Sequence, residues 1–282
     1  MPTTRVRISG GDALVDYDRT GTGPGLVLVH GTAATREQWL PLTEAVADRF
    51  TVVAPDYSGS GGTTDHGGPL ALADLADEVL AAADHAGLET FHLVGHSLGA
   101  AIATHLAGSH PARVSSLVLH AGWAHTDTRM RAEFTYWRDL LRADAEHGTS
   151  LFARMLPLMA FGPRYWDRTD TAAYEELVQA LATGLAPGTD RQIAVDLAVD
   201  LRPLLASVTA PTLVLASAHD RAIDAAQQRE LLAGIAHSRY QEIDAGHGAP
   251  AEDPDGFVAR VAAFLAERTA AERPMAGRAA MA

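Results

Sequence analysis

The sequence has 282 residues, 47% hydrophobic and 20% charged, which is enough apolar material for a sizeable core and too much for an intrinsically disordered chain. Acidic residues outnumber basic ones 35 to 22, a formal charge of -13 that argues against a phosphate-backbone partner or an anionic membrane surface. Cysteine and lysine are both absent, which excludes disulfides, thiolate metal sites, cysteine nucleophiles, Schiff bases and a Ser–Lys dyad.

In chain order, residues 4–9 and 13–18 read as two short strands around Gly10-Gly11, and Arg5, Arg7, Asp12, Asp16 and Asp18 interrupt any leader-like apolar core. Apolar runs at 26–29, 51–54 and 91–94 follow, each bounded by turn residues, as in parallel strands covered on both faces. Between them, helical spacing marks 37–48, 70–85 and 98–108. Further strands are expected at 114–119, 212–216 and 240–243, with a closing helix at 253–268. This alternation predicts an open, mostly parallel α/β sheet. No apolar run reaches the roughly 18 to 20 residues of a membrane helix, so a soluble, cytoplasmic protein is expected, with no nucleic-acid or membrane partner.

The rhythm breaks over 123–203, which reads as a helical insertion. Nine of the 17 aromatic residues fall here or just beside it: Trp123, Phe134, Tyr136, Trp137, Phe152, Phe161, Tyr165, Trp166 and Tyr174. Most should pack the insertion's own core, and two or three should line an apolar pocket against the sheet. The pocket candidates are His30, Trp123, Phe134, Trp137, Met155, Met159, Phe161 and Gly248. The tail 269–282 has no period and is expected to be frayed.

The central chemical signal is Gly95-His96-Ser97-Leu98-Gly99, placed after a strand and before a helix. Such a turn is tight enough to require small neighbours, and it holds the serine hydroxyl at the strand's carboxyl end. A serine needs a base near neutrality and an acid to orient that base. Of 13 histidines, His247 sits in a turn after a strand and before the last helix, where it can lean over the sheet edge. The acid is Asp220 or, four residues on, Asp224, which otherwise reads as the cap of a following helix. Asp220 is the expected choice. The oxyanion donors are expected to be the backbone N–H groups of Leu98 and Thr32, with His30 holding the loop. No metal site is expected, since no carboxylate cluster accompanies the histidines near the strands.

On these residues the chain resembles the α/β-hydrolase fold superfamily over about residues 5–268. The matching pieces are Val29-His30-Gly31 with Trp39, Pro55-Asp56-Tyr57-Ser58-Gly59-Ser60-Gly61, the pentapeptide around Ser97, the Asp220 loop and Gly246-His247. The resemblance implies a mostly parallel eight-stranded sheet flanked by helices and a triad of Ser97, His247 and Asp220. It also implies a core domain of 1–122 and 204–268, with 123–203 as an inserted helical cap. Two positions depart from the pattern. Ser217 stands where a glycine is usual, and Gly248 replaces a commonly bulky residue, leaving space near His247. The serine nucleophile separates the chain from dehalogenase and epoxide hydrolase relatives, which use aspartate.

The expected function is a serine hydrolase acting, without a cofactor, on a small, largely apolar ester, lactone or thioester through an acyl-enzyme. The same residues could instead serve a lyase, a carbon–carbon bond hydrolase, an acyltransferase of specialised metabolism, a haloperoxidase-like enzyme or a non-catalytic binding protein.

Overall fold

The computed structural model describes residues 2–272. Among them, eight strands form one sheet: β1 (Thr3–Ile8), β2 (Gly11–Thr20), β3 (Gly25–Val29), β4 (Thr51–Pro55), β5 (Phe91–His96), β6 (Val114–His120), β7 (Thr212–Ser217) and β8 (Ser238–Ile243). Their spatial order is β1-β2-β4-β3-β5-β6-β7-β8. The β1/β2 and β2/β4 pairs are antiparallel and all others parallel. The carboxyl ends of β3, β5, β6 and β7 therefore open on one edge, where open α/β sheets bind ligands. β2 exceeds the expected 13–18 because its second half leaves β1 and pairs Tyr17–Thr20 with β4.

The apolar runs are buried on both faces, and their alternation sorts side chains between two cores. Val27, Val29, Leu93, Leu117, Leu119 and Val214 point to one face. There they meet α2 (Leu72–His85) and α3 (Leu98–Ser109). Leu26, Leu28, Val94, Val118, Leu213 and Leu215 point to the other. That side is closed by Trp39, Phe257, Val261 and Phe264, from the segment before α1 (Leu40–Val46) and from the last helix, Pro254–Glu272. Each fully buried leucine or valine contributes roughly 2 kcal/mol relative to exposure.

The helix expected over 37–48 is divided into a 3-10 turn, Arg36–Trp39, and α1, because Pro41 has no N–H and sits at the start of the helix proper. The final helix runs four residues past its expected end, to Glu272. The rest of the expected frayed tail, 273–282, lies outside the described residues.

Between β6 and β7 lie α4 (Thr128–His147), α5 (Leu151–Ala160), α6 (Pro163–Trp166), α7 (Thr171–Gly184), α8 (Thr189–Asp196) and α9 (Arg202–Leu205). Asp127 and Asp170 cap α4 and α7 by accepting the N–H groups of Met130 and Ala173 at 2.9 Å. Thr126 N–H to Val199 O at 2.9 Å and Leu201 N–H to Ala124 O at 2.7 Å hold the segment's two ends together. No helix is long and apolar enough to cross a membrane, among the described residues.

Candidate active site

β5 runs into α3 through Ser97, whose φ of 53° and ψ of -121° lie in a strained region for a residue with a Cβ. The flanking glycines are required by contact. A Cβ on Gly95 would lie 2.2 Å from the Gly99 carbonyl oxygen, and one on Gly99 would lie 2.1 Å from that of Val29. The turn thus packs backbone against backbone and presents Ser97 at the sheet's carboxyl edge.

The structure brings the expected serine, histidine and acid together. His247 Nε2 lies 3.0 Å from Ser97 Oγ, and its Nδ1–H donates to Asp220 at 3.0 and 3.1 Å. All three side chains are almost entirely buried. Asp220 is fixed in turn by the N–H groups of Ala222 and Ile223, at 2.9 and 2.8 Å. Asp224 instead accepts from Ala226 and Gln227 at the start of α10 (Ala225–Gly234), the capping alternative.

The turn that carries His247 lies against the end of α5. A Cβ on Gly246 would sit 2.4 Å from the Ala160 carbonyl oxygen, while Gly248 N–H donates to that same oxygen at 2.8 Å. Glu252 accepts from both Gly246 and Gly162 at 2.8 Å. The space at Gly248 is bounded by the Phe161 ring, stacked on Tyr165, which would be 3.1 Å from a Cβ there. Ser217 has its own role, with Oγ 3.0 Å from His120 Nε2, and His120 Nδ1 is 2.8 Å from His96 Nδ1. Burial lowers His120 to a pKa of about 3 and His96 well below the ordinary value, so both rings are neutral.

Gly31 follows β3 so closely over the elbow that a Cβ on it would be 3.2 Å from Ser97 Cβ. His30 is fully buried, stacks on Tyr57 and donates from Nδ1 to the Gly31 carbonyl at 2.8 Å. Burial lowers its pKa to about 4, which fits a loop-holding part. Among the described residues, the N–H groups of Thr32 and Leu98 donate to no protein acceptor.

A cavity of about 170 Å³ opens over Ser97 and His247. Of the expected pocket residues, Trp137, Met159, Phe161 and Gly248 line it. His30, Trp123, Phe134 and Met155 do not. Trp123 and Phe134 belong to the buried core, where successive ring contacts of 5.9 and 4.9 Å carry them to Trp137 from behind. Met155 packs against the core beside the α5 face that supplies Phe152, Leu156 and Met159. Leu177 and Leu181, one helical turn apart on α7, complete the apolar wall.

Burial favours the neutral form of His247, but the charge and hydrogen bond of Asp220, with Glu133 and Asp196 further off, outweigh it and raise its pKa above the ordinary 6.5. As a general base His247 would act only when neutral, and activity should then rise with pH through a midpoint above that value. Glu133 sustains part of the rise. In Glu133→Gln, loss of a nearby negative charge should move the acid limb of kcat/KM to lower pH while the plateau is retained, as a pH-rate profile can determine.

The model of the alpha/beta hydrolase fold family matches residues 24–254. The chain belongs to that family. As a member of the alpha/beta hydrolases, it is a hydrolytic enzyme. It is 34% identical over 262 residues to the pyrrolizixenacetamide deacetylase of Xenorhabdus hominickii, covering 92% of this chain and 97% of that one. Identity to a protein of Azorhizobium caulinodans assigned as a carbamate hydrolase, RutD, is 33% over the same shares. In fold it is similar to a thermophilic esterase from Thermogutta terrifontis, with a TM-score of 0.82, 23% identity and coverage of 95% and 99%.

Proposed function

We propose that this alpha/beta hydrolase cleaves a small, neutral, largely apolar carboxylic ester or amide, using Ser97, His247 and Asp220 as a catalytic triad. The observation that carries the reading is the continuous hydrogen-bonded chain from Ser97 Oγ through His247 to Asp220, with each distance at 3.0 or 3.1 Å, at the base of an apolar cavity. His247 takes the serine proton as Oγ attacks the carbonyl carbon. The N–H groups of Leu98 and Thr32 hold the resulting oxyanion, and protonated His247 gives its proton to the departing alcohol or amine. A water deprotonated by His247 then releases the acid and regenerates Ser97. In this reading residues 123–203 form a cap over the core, and their apolar side chains select the substrate.

Size and charge support the substrate class. At about 170 Å³ the cavity falls below the roughly 300 Å³ where drug-sized sites begin. Its described lining contains no arginine, aspartate or glutamate, and His96 is neutral. An anionic acyl group or a free carbamate would find there no countercharge besides His247, which must be neutral to act as the base. The relative named pyrrolizixenacetamide deacetylase favours adding amides to the esters.

Two measurements test this. Aryl acetates and acetanilides should be turned over with kcat/KM at least about 10²-fold above the matching hemisuccinates, an ordinary penalty for an unpaired buried charge. Equal rates would remove the neutral-substrate argument. In heavy-oxygen water the label should enter the acid product; an unlabelled product would exclude hydrolysis.

A further inference from the structure

We infer that helix α8 of the insertion sets the second oxyanion donor, with Asp196 and Gln192 acting as positioning residues for the Thr32–Ala33 peptide. This inference rests on the reading of Ser97 as nucleophile.

The turn after β3 is held at Gly31, whose carbonyl accepts from His30 Nδ1 at 2.8 Å and whose N–H donates to Gln38 Oε1 at 3.4 Å. Its own backbone supplies a 3.3 Å bond from Ala34 N–H to Gly31 O, and Ala33 adopts a φ of 61°, a left-handed conformation unfavourable for alanine. The hydrogen bonds that hold the Thr32 side chain and the Ala33 N–H come from one face of α8. Thr32 Oγ1 donates to Asp196 Oδ2 at 2.8 Å. Ala33 N–H donates to Gln192 Oε1 at 3.1 Å, and Gln192 Nε2 donates to the Ser58 carbonyl at 3.3 Å. Positions 192 and 196 are four apart, so both side chains leave the helix on the same side. Both are essentially inaccessible to solvent. The Ala33 N–H is thereby consumed by Gln192, which leaves the N–H of Thr32 as the uncommitted donor of this peptide pair.

The helix making these bonds is itself fixed. Arg191 forms a two-point ion pair with Asp65 at 2.8 and 3.0 Å, and Arg138 of α4 forms another with Asp190 at 2.7 and 3.1 Å. Gly188, which caps α8, lies so close to Gly59 that a Cβ on it would be 2.1 Å from the Gly59 Cα. The Asp196 carbonyl accepts from Thr126 Oγ1 at 2.5 Å. A rigid helix thus holds a strained turn whose nearest structural demand is the placement of one N–H beside Ser97. Burial raises Asp196 to a pKa of about 7, opposed only in part by the Thr32 hydrogen bond and the nearby His247.

The experiment measures kcat, KM and thermal midpoint for p-nitrophenyl acetate with the full-length chain and its variants. Asp196→Leu should lower kcat about 10²-fold with KM nearly unchanged, the scale of a misplaced transition-state contact. Thr32→Val removes the same hydrogen bond from the other side without touching α8, so it should give a similar loss, and the double variant should be no worse than either single one. Asp196→Asn keeps an oxygen acceptor and should recover most of the rate. Unchanged kcat in Thr32→Val, a raised KM at constant kcat, or a loss that follows the folded fraction would overturn the inference. Labelling of the wild type by a fluorophosphonate separates the two levels. Absence of an adduct defeats the nucleophile reading, whereas a normal adduct with full-rate Asp196→Leu and Thr32→Val defeats only the role of α8.

Discussion

Ser97→Ala should lower kcat for a neutral ester on the order of 10⁶-fold, the loss typical when a triad nucleophile is removed. KM should change little, because the apolar wall of Trp137, Phe152, Leu156, Leu177 and Leu181 is untouched. Fold should also be retained. The Ser97 hydroxyl has His247 as its partner, whereas its backbone N–H to the His120 carbonyl and its carbonyl to Ala100 and Ala101 survive the substitution. Residual catalysis of roughly 10³ to 10⁴ over water should remain from the oxyanion donors and binding alone. Intact mass after fluorophosphonate treatment provides an independent reading: the wild type gains one adduct and Ser97→Ala gains none. If the alanine variant keeps turnover within tenfold, the nucleophile lies elsewhere.

The sequence displayed this part of the site because its constraints are local. Gly95 and Gly99 are needed where backbones touch, and both stand within two residues of the serine they allow. Gly246 marks His247 in the same way, since a side chain there would strike Ala160. Strands with both faces covered are continuous apolar runs, so the parallel sheet could be read from 26–29, 51–54 and 91–94. Asp196 and Gln192 gave no such signal. Their partners Thr32 and Ala33 lie about 160 residues away in the chain, and an acid and an amide on a short polar helix have the composition of a solvated face. The same limit explains the pocket candidates. Trp123 and Trp137 are equally suitable as wall or core by chemistry, and only the approach of α4 to α5 decides that Trp137 meets the cavity while Trp123 backs it. For Gly248, the missing side chain marked space near His247, and only the fold shows that Phe161, 87 positions earlier, bounds it.

Asp220→Asn should lower kcat about 10⁴-fold, while Asp224→Asn should leave it within about twofold. The two acids share a loop and a charge but act on different groups. Asp220 accepts the Nδ1–H of His247, which fixes the tautomer whose bare Nε2 faces Ser97 Oγ. An asparagine amide offered to Nδ1 as a donor favours the opposite tautomer, with a proton on Nε2 directed at Ser97 and no base facing it. It also removes the principal charge raising the pKa of His247, so the remaining activity should have its acid limb at lower pH. Asp224 is exposed and its oxygen receives Ala226 and Gln227 N–H groups at 2.8 and 3.2 Å, a task asparagine performs equally well at the start of a helix. Asp224→Ala should therefore cost about 1 kcal/mol of stability with kcat retained, measurable by denaturant titration beside the rate assay. The reverse ranking of the two asparagine variants would transfer the orienting role to Asp224 and require its loop to rearrange in solution.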